Sequence, residues 1–222
     1  MTTKFFSDKI VPLEKRILKV AHSLADEFSG VFNLETVHRY VPESFKALDN
    51  VRLTDYVHIF AGRFARDRMR ELARTEGYIS RDISRDIPAI LYLCNHNAGR
   101  SQMAAAFTAH LGRDRVQVMS AGSTPAAEVN AVAVQAVAEL GIDLSQEFPK
   151  PATDEVVNAA DVVITMGCGD ACPVYPGKRY LDWDVDDPAG QPIEKVRLIR
   201  DEIRRRVEKL LTELGVLDAS FS

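Results

Sequence analysis

Ala89-Ile90-Leu91-Tyr92-Leu93-Cys94-Asn95-His96-Asn97-Ala98-Gly99-Arg100-Ser101-Gln102 decides the fold. Five apolar residues in a row read as a buried strand, and the segment from Gln102 to Leu111 reads as a helix. Between them lies a short turn, so the unpaired N–H groups of the helix face back into it. Such a helix start favours anions, because its free amides and its dipole both complement negative charge. Cys94 at the mouth of the turn gains from the same field, which favours the nucleophilic thiolate. Arg100 adds a planar fork of donors suited to a tetrahedral oxyanion. A lone cysteine at a strand end is often only a small buried hydrophobe. The Cys-x5-Arg-Ser spacing in a strand-to-helix turn argues for chemistry instead.

Downstream of this turn, apolar runs alternate with helical patterns. Strands are expected at Ala89–Leu93, Val116–Met119, Asp161–Met166 and Tyr180–Trp183. Helices are expected near Gln102–Leu111, Ala131–Leu140, Asp154–Asn158 and Glu194–Leu214. The alternation predicts an α/β fold, a four-stranded parallel sheet with helices on both faces. Ligands of such sheets sit at the carboxyl ends of the strands. Cys94, Ser120, Cys168 and Asp187 all follow expected strands and so are expected to gather on one rim.

Upstream, the first eighty residues contain no convincing strand. Ser7 is placed to cap a helix running to about Glu27, with Pro12 a kink or a late start. Asn33 is placed to cap a second helix, interrupted at Pro42, and Thr54-Asp55 to open a third through Leu72. A small all-α helical bundle over residues 1–80 is therefore expected ahead of a catalytic domain over 88–222, with a linker between them. Arg63, Arg66, Arg68, Arg70 and Arg74 crowd the third helix, but Asp67, Glu71 and Glu76 interleave with them. A solvated helix face is expected rather than a nucleic-acid surface, and contact with the acidic catalytic part is the other use for these arginines. Packing or homodimer formation is the expected task of the bundle.

The formal net charge of −4 gives no electrostatic reason to expect nucleic acid or an acidic membrane. No apolar run approaches the ~20 residues that span a bilayer, and no early stretch resembles a signal peptide, so a cytoplasmic protein is expected. Cys94, Cys168 and Cys172 do not suggest a secreted disulfide framework. In a reducing compartment they point to catalysis or redox chemistry. No metal is expected, because no second closely spaced Cys or His pair completes a zinc set.

The motifs Cys94–Ser101 with Gln102-Met103-Ala104, Ser120-Ala121-Gly122, Thr165-Met166-Gly167-Cys168 and Asp186-Asp187-Pro188 carry a family likeness. From Ala89 to about Leu214 the chain resembles the low-molecular-weight tyrosine phosphatase fold, specifically its arsenate reductase branch. The resemblance implies that Asn95, His96, Asn97, Ala98, Gly99 and Arg100 bind the oxyanion, that Ser101 steadies the Cys94 thiolate, and that Asp187 is the acid. It also implies that Asn97 braces the loop together with Ser120. Three departures matter. Ala189 follows Asp187-Pro188 where phosphatases of this fold usually carry an aromatic residue. Gly99 stands where they tend to carry a second cysteine. Ala104-Ala105-Ala106 offers no carboxylate to a monovalent cation.

Cys168 and Cys172, four apart and flanked by glycines, are spaced for a disulfide once the segment coils. Together with the resemblance, they imply reduction of arsenate through a Cys94/Cys168/Cys172 relay, with thioredoxin as external reductant and no bound cofactor. Phosphate and sulfate are the expected competing oxyanions. The alternatives are a mycothiol-dependent arsenate transferase that uses only Cys94, and a low-molecular-weight phosphotyrosine or phosphomonoester phosphatase.

Overall fold

The computed structural model describes residues 13–48, 57–78, 87–167 and 175–218. The expectations for Ser7, Pro12, Thr54-Asp55, the 79–86 part of the linker, Cys168 and Cys172 lie outside these residues.

β1 (Ala89–Cys94) is buried at every position, as its apolar run requires. It pairs in parallel with β2 (Gln117–Gly122) on one side and β3 (Val162–Met166) on the other. β4 (Arg179–Asp182) adds in parallel beside β3, giving the order β2-β1-β3-β4. Successive side chains of a strand point to opposite faces, and both faces are covered here. Ile90, Tyr92 and Cys94 share a core with Met103 and Phe107 of α4 (Arg100–Gly112), Val137 of α5 (Ala131–Ala138) and Ile203 of α7 (Ile193–Glu213). Leu91 and Leu93 instead meet Val156 and Val157 of α6 (Asp154–Ala159).

Ahead of the sheet stand α1 (Leu13–Glu27), α2 (Leu34–Ala47) and α3 (Val57–Thr75). Asn33 caps α2 as expected, its side chain accepting from the Thr36 N–H at 2.8 Å. Pro42 does not interrupt this helix, which runs through it to Ala47. The bond lost at the missing N–H is offset by the burial of Val37, Tyr40, Val41 and Phe45 on either side of it. The helices enclose a core of Leu24, Phe28, Val41, Phe45, Phe64 and Met69, completed by Phe148 from the second part of the chain.

Three of the five arginines of α3 face the catalytic part instead of solvent. Arg68 is buried and pairs with Glu43 and, across to α6, with Glu155 at 3.1 Å. Arg63 donates to the Gln146 carbonyl and Arg74 pairs with Asp161. Arg66 and Arg70 both reach Glu27 of α1. Packing of the helix against the catalytic part draws Arg63, Arg68 and Arg74 to partners there, which periodicity alone does not reveal, while Arg66 and Arg70 stay in surface pairs with α1. No helix among the described residues is long and apolar enough to cross a membrane.

Candidate active site

Cys94 ends β1, level with Gly122 of β2 and Met166 of β3, on the carboxyl rim of the sheet. It is 2% exposed, and its sulfur is turned into the following loop. Sγ lies 3.0 Å from Ser101 Oγ and receives the Asn97 backbone N–H at 3.2 Å. Ser101 Oγ in turn accepts from Asn97 Nδ2 at 2.8 Å. Ser101, on the first turn of α4, thus connects the nucleophile candidate with the loop.

The carbonyls of the loop are held outward. Those of Cys94, Asn95, His96 and Ala98 accept from the backbone N–H groups of Ser123, Thr124, Ala126 and Asn130 at 2.8–3.2 Å. The Asn97 carbonyl accepts from Gln102 Nε2, and that of Gly99 from the Met103 N–H. With the oxygens committed to that side, the amides are the groups left to line the concave side. Gly99, the residue before α4, offers no side-chain cap that would occupy the helix N-terminus. His96 is exposed, and its ring Nδ1 lies 3.1 Å from the Thr124 carbonyl. It joins the loop through its backbone.

Asn97 has φ 45°, a left-handed conformation that asparagine tolerates better than most residues. Its Oδ1 accepts from Gln102 Nε2 at 3.1 Å and from the Lys150 N–H at 2.8 Å. Gln102 Nε2 also reaches the Phe148 carbonyl at 3.1 Å. Ser120 has no part in this brace, contrary to expectation. β2 extends to Gly122, so Ser120 lies within the strand, level with Tyr92 and two residues short of the rim. Gly122 takes the rim position, where a Cβ would sit 2.8 Å from both the Asn95 carbonyl and the Asn97 nitrogen. Gln102, Phe148 and Lys150 are the contributors that sequence reasoning missed. Gln102 carried a signal as part of the loop motif, but its partner Phe148 is forty-six residues away.

Arg100 is buried, and its Nη2 donates to Asp187 Oδ2 at 2.6 Å. Nη1 reaches the Val185 carbonyl at 3.4 Å. Asp187 is held by a second bond, its Oδ1 accepting from the Ala189 N–H. Pro188 covers Gly99 so closely that a Cβ there would lie 2.5 Å from Pro188 Cγ. Gly167, after β3, lies against the Arg100 guanidinium, where a Cβ would be 2.7 Å from Nη1. Cys94, Asn95, His96, Asn97, Ala98, Gly99, Arg100, Ser101 and Asp187 therefore form one cluster, and Cys168 is the residue after Gly167.

Residues 89–217 match the family described as "Low molecular weight phosphotyrosine protein phosphatase". Residues 17–73 match "Protein-tyrosine-phosphatase-like, N-terminal domain". The chain is similar to "Arsenate reductase 2" of Staphylococcus haemolyticus, 36% identical over 57% of this chain and 98% of the relative. It is also similar to "Glutaredoxin arsenate reductase" of Synechocystis, 33% identical over 57% of this chain and 98% of the relative. Among solved structures, the thioredoxin-dependent arsenate reductase Cg_ArsC1' of Corynebacterium glutamicum superposes with a TM-score of 0.81. It is 40% identical and covers 91% of this chain and 98% of its own, so the likeness takes in the N-terminal helices too. With the cysteine loop, the parallel sheet and the family match in agreement, this chain belongs to the low molecular weight phosphotyrosine protein phosphatase family.

Proposed function

We propose that the protein is a thioredoxin-coupled arsenate reductase. The observation that carries this reading is the Cys94 sulfur at the base of a loop whose carbonyls are tied outward, with Arg100 and Asp187 at its rim. The names of the relatives support the choice of arsenate within the family.

Arsenate enters the loop, and the amides of residues 95–100 hold its oxygens. Arg100 turns its fork from Asp187 to the anion. Cys94 attacks arsenic, displacing one hydroxyl, while Asp187 donates the proton that lets it leave as water. Cys168 then attacks Cys94 Sγ. The electron pair of the sulfur–arsenic bond passes to arsenic, which leaves as arsenite, and a Cys94–Cys168 disulfide remains. Cys172 attacks Cys168, which frees Cys94 and leaves a Cys168–Cys172 disulfide for the thioredoxin dithiol to reduce. Two thiols supply the two electrons, so the relay needs no bound cofactor.

The test is arsenate-dependent NADPH oxidation with thioredoxin and its reductase. The parent should turn over repeatedly, Cys94→Ser should be inactive, and Cys172→Ser should complete about one turnover. Repeated turnover of Cys172→Ser with thioredoxin would rule out the relay. Activity with mycothiol and its redoxin alone would assign the transferase route instead. Efficient hydrolysis of p-nitrophenyl phosphate without reductant would assign a phosphatase.

A further inference from the structure

One segment faces two ways. Residues 146–152 run between the N-terminal helices and the cysteine loop, and bind tightly to both. On the helix side, the Phe148 ring is 1% exposed and completes the core of the helices. Its centroid is 4.8 Å from that of Phe60 on α3. Arg63 of α3 lies over the same ring and holds the Gln146 carbonyl at 2.8 Å. On the loop side, the Phe148 carbonyl accepts from Gln102 Nε2, and the Lys150 N–H donates to Asn97 Oδ1. The Lys150 carbonyl accepts from the N–H of Gly122, the glycine packed under Asn95 and Asn97.

We infer that Phe148 is a positioning residue and that the N-terminal helices set the oxyanion affinity of the loop through it. Three oxygens, two of them from Asn97 and one from Phe148, converge on the single nitrogen of Gln102 at 3.1 Å. Asn97 is held in a left-handed conformation, and the same residue supplies the amide on the Cys94 sulfur. A backbone in that conformation keeps its shape only while its surroundings enforce it. The enforcing groups are the main-chain atoms of residues 148 and 150; the sheet holds residue 150 through Gly122, and a phenyl ring anchored among α1–α3 holds residue 148. The helices thus act on the chemistry from outside it, and this reading rests on the loop being an oxyanion site.

The test uses the full chain with Cys168→Ser and Cys172→Ser, so that Cys94 is the single thiol. Its alkylation by iodoacetamide is followed over a phosphate titration and over pH, neither of which requires arsenate to be reduced. Phe148→Ala should weaken phosphate protection about tenfold or more and shift the pH profile of alkylation. Phe148→Leu, which keeps the core filled, should show the same change in smaller measure. Phe28→Leu, a truncation in the same core beside Phe32, should lower thermal stability and leave both readings unchanged. The inference is overturned if Phe148→Ala or, should that variant not fold, Phe148→Leu protects like the parent. Equal weakening in Phe28→Leu also overturns it. Absence of protection in the parent itself would strike instead at the anion-binding reading, and this inference would fall with it.

Discussion

Arg100 Nη2 donates to Asp187 Oδ2 at 2.6 Å, so the cation of the anion cradle and the candidate acid are joined before any substrate arrives. The pair is asymmetric, with the guanidinium 9% and the carboxylate 44% exposed. Arg100 is packed into the fold, and turning its fork to the anion releases the more exposed Asp187. Asp187→Asn keeps an acceptor for Arg100 but removes the transferable proton. It should lower kcat by about 10²–10⁴-fold with little change in KM. Arg100→Lys should raise KM as well, because a point charge replaces a planar fork. Steady-state arsenate reduction separates the two.

Gly99→Ala probes the cover over the loop. Gly99 packs directly under Pro188, so an added methyl acts sterically. A methyl 2.5 Å from Pro188 Cγ must push the 187–189 turn outward and carry Asp187 with it. Activity should fall at least about tenfold, since misplacement of about 1 Å is costly in catalysis. The melting temperature should move little, because Asp187 and Ala189 on either side of Pro188 are exposed. A variant with parent activity would show that the turn does not need its present position.

Asn97 offers two substitutions with different physics. Asn97→Gly keeps the left-handed backbone and loses only the side-chain bonds to Ser101, Gln102 and Lys150. Asn97→Ala loses those bonds and also places a Cβ residue at φ 45°. The alanine variant should be less stable than the glycine variant by about 1 kcal/mol in urea unfolding. Both should bind phosphate more weakly than the parent. Equal stability of the two would remove the conformational part of this account.

Glu71 on α3 provides a pH prediction. Burial pushes its carboxyl up from 4.5 to about 7, against the pull of Arg74 and of the bond from Gln117. Between those values the folded state holds a proton that the unfolded chain has released. Stability from this group is therefore complete below about pH 4.5 and is lost as pH rises through about 7. The shift corresponds to about 3 kcal/mol. Glu71→Gln, which has no proton to lose, should melt higher than the parent at pH 8 and match it near pH 4.5. Thermal melts across that range decide it.

The sheet and the loop were legible from local signals. An unbroken apolar run before Cys94 specified a buried strand, and the Cys-to-Arg spacing specified the turn. What escaped the sequence reading lies in contacts between distant residues. Pro42 reads as a break until the burial of Val41 and Phe45 is known. The arginines of α3 read as solvated because their partners Glu155 and Asp161 are over eighty residues away. Ser120 was placed after β2 because the strand was ended at Met119 rather than at Gly122. Gln102 and Phe148 meet through a carbonyl, which carries no sequence signature.

β1 occupies an inner place in the sheet although both of its neighbours follow it in the chain. During synthesis, this wholly apolar strand leaves the ribosome before either partner exists, and β3 is complete only seventy-two residues after β1 ends. Until then one of its edges has no native partner, a state that invites pairing between nascent or refolding chains. Recovery from denaturant should therefore fall steeply as protein concentration rises. The strand order that seats the sulfur at the end of an inner strand therefore also delays the completion of that strand's pairing.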